Sequence, residues 1–220
     1  MKPLSELTET DEPFIATLES WISDWGGNVR LHAPDPARAD QNLLRLQVTR
    51  RSPLGAQVHD TGGIEIDHGW LRLFGSAAGG PLPDILELGA SLGLTADSGA
   101  LLIGADVIGG LFAINGGGLP DAKLGEVCYF APDTNAWESM GLKHSGFVEA
   151  MLSGVSEKFY KAFRWSGWQS DVAALPPDRV MTFYPPPGTV EFGPETSSRR
   201  AVPFAEIWPE NAFRPGTPPA

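Results

Sequence analysis

Residues 99–138 read GALLIGADVIGGLFAINGGGLPDAKLGEVCYFAPDTNAWE, and this stretch decides the fold. Three short apolar segments, 100–104, 111–115 and 126–131, are separated by glycine-rich turns, which predicts a meandering antiparallel sheet. Each turn carries an acid or an amide that we expect to be exposed: Asp106, Asn115 and Asp133. The stretch contains no evident nucleophile, metal cluster or phosphate loop, so it favours a binding module.

The sequence on either side predicts further strands and flanking helices. Between residues 56 and 74 apolar and polar residues alternate, as half-buried strands do, and residues 28–40, with two prolines, predict a loop. An apolar stripe at helical spacing predicts an amphipathic helix over residues 11–25. Other segments are expected to be helices at 83–91 and within 144–175, a strand at 179–184 and an extended segment at 202–208.

These elements predict an α+β fold with a central, mostly antiparallel sheet over residues 56–131. The N-terminal helix and the helical region 144–175 should pack on the sheet. We expect one globular domain over residues 1–208, since 220 residues can bury a sizeable core. The tail, residues 209–220, has the composition of a disordered end.

Composition narrows the function classes. The formal net charge is −11 and basic residues form no cluster, which disfavours nucleic acid as a partner and favours a basic protein. No apolar run approaches the roughly 20 residues that a membrane span needs. The single cysteine, Cys128, indicates a reducing compartment, and no signal peptide is recognisable at the start, so a cytoplasmic location is expected.

Most signatures of chemistry are missing from the sequence. The glycines of residues 109–118 are not followed by the Lys-Ser/Thr of a phosphate-binding loop, and they fit turns better. The four histidines show no metal-ligand spacing, so no metal or other cofactor is expected. An alternative stays open, in which a small-ligand site or a hydrolase uses the turns around Asp67, His68, Asp106 and Asp133.

A second group of candidate binding residues is rich in tryptophan. Arg164 precedes Trp165, and Trp168 follows three residues later, so a guanidinium could stack on an indole and present an aromatic surface. Trp137 follows the third apolar segment. Core packing explains the same residues and is the preferred interpretation. The predicted binding residues are Asp106, Asn115, Asp133, Trp137, Arg164, Trp165 and Trp168, and no catalytic residue is assigned.

Several segments resemble a bacterial family known as domain of unknown function 2625: residues 46–76, 101–118, 125–140 and 158–168. A looser likeness runs to the SUKH superfamily (Smi1/Knr4-like proteins). It is carried by Leu82-Pro83, by Leu101–Gly110 with Asp106 and Gly109, and by Trp137. The second resemblance implies an antiparallel sheet flanked by helices. It also implies a role as an immunity protein that neutralises a toxin, or as a regulatory adaptor.

Three functions are therefore open. The preferred one is a non-enzymatic protein-binding or adaptor protein of the SUKH type, for example an immunity protein whose acidic surface meets a basic toxin domain. The second is the small-ligand protein or hydrolase described above. The third is a structural protein that forms homo-oligomers through its tryptophan-rich helices.

Overall fold

A computed structural model describes residues 1–119, 121–208 and 212–213. Within them, seven strands form one sheet in which each strand is antiparallel to the next along the chain. These strands are β1 (Val29–His32), β2 (Gly63–Ile66), β3 (Leu71–Phe74), β4 (Ala100–Asp106), β5 (Leu111–Asn115), β6 (Glu126–Ala131) and β7 (Ala136–Lys143). A separate hairpin pairs β8 (Arg179–Tyr184) with β9 (Ser198–Pro203). The predicted α+β class and the antiparallel sheet are confirmed.

Helices lie before, between and after the strands. The bounds are α1 (Leu4–Thr8), α2 (Ile15–Trp25), α3 (Pro36–Leu46), α4 (Pro53–Asp60), α5 (Ile85–Leu92), α6 (His144–Met151), α7 (Val155–Phe159), α8 (Trp168–Ala173) and α9 (Phe204–Ile207), with a short 3₁₀ helix at Lys161–Phe163. None of the described helices has both the length and the apolar character needed to cross a bilayer.

Two predictions for the segment before β2 were wrong, and in both a local helix cap outweighs the sequence pattern. Residues 28–40 are not a loop: they hold β1 and the start of α3, where the Asp35 side chain accepts the Arg38 N–H and Pro36 opens the helix. Val58, which lies in the segment predicted to form half-buried strands, belongs to a helix, because the Ser52 side chain caps α4 and Pro53 begins it. The sheet therefore starts earlier than residue 56.

Two predictions downstream also need correction. β7 was not predicted, because its residues are mostly exposed and show no apolar alternation, and it extends the sheet beyond residue 131. Residues 202–208 are not one extended segment, since β9 ends at Pro203 and α9 follows. The predicted disordered tail lies outside the described residues except for 212 and 213.

The sheet buries both of its faces. On the first face, Phe112 stacks on Tyr129, with 4.7 Å between ring centroids, and Phe147 of α6 packs 5.0 Å from Phe112. Side chains alternate along a strand, so Phe130 lies on the second face, where its ring is 5.1 Å from Trp208. Helices α6 and α7 cover the first face, and α5, α9 and the β8–β9 hairpin cover the second.

His144 and Gln57 form a buried polar link between α6 and α4. The Gln57 amide nitrogen donates to the carbonyls of Phe74 and Ile103, so its oxygen is the acceptor for His144 Nε2–H at 2.8 Å. Among the described residues, His144 Nδ1 has no hydrogen-bond partner. Burial lowers the pKa of His144 to about 4.

This histidine should make the protein less stable in acid. The pKa of His144 in the folded protein lies below the usual value of 6.5. The stability contributed by the neutral His144 is therefore complete above pH 6.5 and is lost as the pH falls towards about 4. A shift of this size corresponds to about 3 kcal/mol at most. Urea unfolding at pH 7 and near pH 4.5 should show a smaller loss in His144→Gln than in the wild type. His68→Gln, at a half-buried histidine outside this link, should behave like the wild type, and equal losses in all three proteins would contradict the assignment.

Candidate functional site

Asp106 ends β4 and is completely buried, contrary to the expectation that it would be exposed. Its Oδ1 accepts the backbone N–H of Ile108 at 3.0 Å and of Gly110 at 2.7 Å, which closes the turn to β5. Its Oδ2 accepts the hydroxyls of Tyr129 at 2.7 Å and Tyr160 at 3.1 Å. A side chain at position 110 would overlap the Tyr129 hydroxyl and the Asp106 carboxylate, so the turn requires glycine there.

The hydrogen bonds of Asp106 leave it little capacity for a ligand. Burial raises the pKa of Asp106, although the two hydroxyls and two amides oppose the shift. Burial also raises the pKa values of Tyr129 and Tyr160, so both phenols stay protonated and act as donors. A carboxylate that already accepts four hydrogen bonds serves as a structural anchor between the sheet and α7.

Removing this anchor should strongly destabilise the fold. Asp106→Ala leaves two buried hydroxyls and two buried amides without their acceptor, and we expect a loss of about 3–5 kcal/mol in the free energy of unfolding. Asp133→Ala, at an exposed turn, is the matched control and should change it by less than about 0.5 kcal/mol. Urea denaturation measures both values, and a loss at Asp106 as small as that at Asp133 would show that the anchor is not needed.

Asp67, His68 and the tryptophan-rich segment come together in a second buried cluster. Asp67 and His68 form the turn after β2, and Asp67 Oδ2 pairs with the Arg164 guanidinium. That guanidinium stacks 4.2 Å from the ring centroid of Trp168 and 5.2 Å from that of Trp70. Trp165 and Trp168 are 2% and 8% exposed, so both belong to the core in this chain. The Arg164 guanidinium therefore stacks on Trp168, and this contact lies in the protein interior instead of on an exposed aromatic surface.

The remaining candidates lie apart from that cluster. Asn115 is buried: its Oδ1 accepts the N–H of Gly117 at 2.8 Å and of Leu119 at 3.1 Å, and its Nδ2 donates to the Ala122 carbonyl at 2.9 Å. It therefore organises its own loop. Asp133 is exposed, and Trp137 is half-buried with its ring 5.4 Å from that of Phe130. The predicted binding residues do not share one cavity.

A cavity of about 430 Å³ lies on the second face of the sheet, and Asp106 is the one predicted candidate residue among those that border it. It is bounded by β3 and β4, by α5, and by the residues that flank β8 and α9. Apolar side chains form most of its wall: Phe74, Leu88, Leu92, Val180, Phe204 and Trp208. Ser91 and Asp178, which border it, are exposed, so the cavity is reached from solvent between α5 and β8.

Arg72 of β3 is the cationic group of this cavity, and its residue is only 3% exposed. Its Nε donates to the Gly69 carbonyl at 3.2 Å, and its Nη1 donates to the carbonyls of Pro177 at 2.9 Å and Arg179 at 2.7 Å. Burial lowers the pKa of Arg72 to about 10, against the attraction of Glu65, Asp106 and Asp178. The side chain stays charged at neutral pH.

Arg72 was not among the residues predicted from the sequence to form a site. In β3, Arg72 lies between Leu71 and Leu73. A polar residue that alternates with apolar ones usually faces solvent in a half-buried strand. The β8–β9 hairpin that covers this face begins more than a hundred residues later in the chain. No pattern close to Arg72 therefore predicts that the hairpin buries it. The sequence signal that could have identified Arg72 was a single arginine within an otherwise apolar strand.

The described residues hold no group of three or more His, Cys, Asp or Glu side chains arranged for a metal ion. Comparison with known proteins then identifies the family. The chain belongs to the family described as protein of unknown function DUF2625. The match covers residues 4–207, so the resemblance inferred from the sequence is confirmed for this family.

Similar proteins in this family are uncharacterised. YbfG of Escherichia coli (strain K12) is 36% identical over 209 residues, which cover 94% of each chain. A Haemophilus influenzae protein is 32% identical over 189 residues, covering 84% of this chain and 82% of the relative. No solved structure matches the chain. The looser likeness to the SUKH superfamily is not shown by any of these matches.

Proposed function

We propose that this DUF2625 protein is a non-enzymatic binding protein that holds a small, largely apolar molecule in the cavity over Arg72. The observation that carries the proposal is the cavity itself, whose volume of about 430 Å³ falls within the range of small-molecule sites. Apolar surface that stays in contact with water is unfavourable, and apolar grooves on a protein surface often mark binding sites. An apolar space of this size beside an otherwise buried sheet face therefore supports an occupant.

The polar groups around the cavity favour binding over turnover. Ser91 donates its hydroxyl to the Leu88 carbonyl, and Asp106 is held by the four hydrogen bonds described above. No histidine or cysteine is among the described residues that border the cavity, so these residues include no pair of nucleophile and base of the usual kind. The lone buried Cys128 supports a reducing compartment, and we propose that the protein acts in the cytoplasm.

Filling part of the cavity should weaken binding of a neutral apolar probe. The probe is N-phenyl-1-naphthylamine, whose fluorescence rises on transfer from water to an apolar site, and one molecule should bind per chain. Leu88→Trp places an indole at the rim of the cavity and should weaken this binding by at least about tenfold, since it removes the space for the ring. Leu44→Trp, on the exposed side of α3, is the matched control and should leave binding unchanged. Absence of saturable binding to the wild type would contradict the proposed function.

A second proposal retains a protein partner, and β7 favours it. Among the described strands it lies at the end of the sheet and pairs with β6 alone, and most of its residues are exposed. An edge strand of this kind can accept an extended segment of another protein as an additional strand. Its exposed Glu138 and the net charge of −11 favour a basic segment. Neutralisation of a basic toxin domain is one form of this proposal.

Charge reversal on the edge strand tests this second proposal. In pull-downs at about 50 mM salt, a basic protein retained by the wild type should be lost with Glu138→Lys and kept with Glu19→Lys, an exposed site on α2. Retention should fall at about 500 mM salt because screening weakens the attraction. Equal retention by the two variants would exclude β7 as the binding surface.

A further inference from the structure

We propose that the molecule bound in the cavity is an apolar monocarboxylate whose carboxylate pairs with Arg72. This inference rests on the proposed small-molecule function and specifies its ligand class. It is carried by the position of the guanidinium, which is buried, fixed in place and incompletely bonded at the edge of an apolar space.

Three carbonyl groups hold the guanidinium but do not use all of its donors. Nε and Nη1 donate to the carbonyls of Gly69, Pro177 and Arg179, while Nη2 makes no hydrogen bond with the part of the chain that the structure describes. Arginine carries five N–H donors in a rigid planar fork, so the two on Nη2 have no acceptor among the residues that the structure describes. Carbonyl partners orient the group without neutralising its charge.

The nearby carboxylates do not neutralise Arg72 either. Across the described residues, no carboxylate oxygen lies within 4.0 Å of its guanidinium nitrogens. Glu65, the residue opposite Arg72 on β2, is shared by Arg30 and His32, each at 3.1 Å. Asp106 is held by its tyrosines, and Asp178 is exposed. Within the described part of the chain, the buried cation therefore has no ion-pair partner.

This arrangement favours an anion that arrives with the ligand. A buried charge that lacks a partner is strongly unfavourable, and pairing it with a carboxylate in a water-poor site recovers much of that free energy. A carboxylate oxygen can accept an N–H from Nη2, and a hydrogen bond between two charged groups is stronger than one between neutral groups. The open nitrogen of Arg72 is therefore the natural position for a ligand carboxylate.

The surroundings select a single carboxylate on an apolar body. Arg72 can offset one negative charge on a ligand, whereas a second one would meet only the repulsion of Asp178, which also borders the cavity. The net charge of −11 likewise disfavours polyanions. The walls of Phe74, Leu92 and Trp208 instead favour an apolar body, which gains free energy as its surface leaves water. Aliphatic and aromatic acids share this chemistry.

Matched probes that differ only in the head group test the inference. Decanoate is compared with decanol and decylamine, and 2-naphthoate with 2-naphthamide, each by displacement of N-phenyl-1-naphthylamine at pH 7. We expect each carboxylate to bind at least about tenfold more tightly than its neutral analogue, and decylamine to bind most weakly. The two series show whether the cavity prefers an aliphatic or an aromatic body.

Variants of Arg72 then assign the preference to this residue. In Arg72→Met the ratio between decanoate and decanol should fall to near one, and Arg72→Lys should restore part of it, because it keeps the charge but not the planar fork. Near-ultraviolet circular dichroism checks that each variant is folded. If Arg72→Met does not fold, the comparison of probes on the wild type decides alone.

The outcomes separate the two proposals. If the neutral probe binds but the carboxylates bind no more tightly than the alcohol and the amide, the head-group inference is overturned and the cavity keeps its proposed function. If neither the neutral probe nor any acid binds saturably, the proposed function itself fails. A carboxylate preference that survives in folded Arg72→Met places the anion elsewhere and also overturns the inference.

Discussion

The buried carboxylate of Asp106 is the constraint on which the rest of the structure depends. It accepts hydrogen bonds from the turn after β4, from Tyr129 on β6 and from Tyr160 at the end of α7, so a single side chain joins the sheet to the helical layer. Buried carboxylates are tolerated only when donors surround them. Glycine at position 110 leaves room for these donors, because a side chain there would overlap Asp106 and Tyr129.

The same turn positions the cavity on the opposite face. Val107 follows Asp106, and its carbonyl accepts the N–H of Met181 at 2.6 Å, which fixes β8 above the sheet. The carbonyl of Arg179, two residues earlier on β8, then reaches Arg72. The Asp106 turn on one side of the sheet thus helps to place β8, and β8 in turn holds Arg72 and part of the cavity wall on the other side. The proposed ligand site is therefore built on the core of the protein.

The elements that could be predicted were those in which local pattern and final environment agree. The central strands β4, β5 and β6 were found because apolar runs end at glycines that adopt positive φ, as at Gly109 and Gly117. The strand β7 was missed because most of its residues are exposed, and its partly buried residues Trp137, Met140 and Leu142 do not follow a regular alternation. The helix α4 was missed because Val58 was grouped with the alternating residues of 56–74, although the Ser52 cap and Pro53 begin a helix there.

By itself, the sequence determined the α+β class, the glycine turns and the membership of the DUF2625 family, since these depend on short-range spacing and on similarity along the chain. Only the tertiary structure decided that Asp106 and Asn115 are buried and that Arg72 borders a cavity. Tyr160 lies 54 residues from Asp106, and Pro177 lies 105 residues from Arg72. Burial is set by whichever distant segments pack over a residue, and no local pattern carries that information.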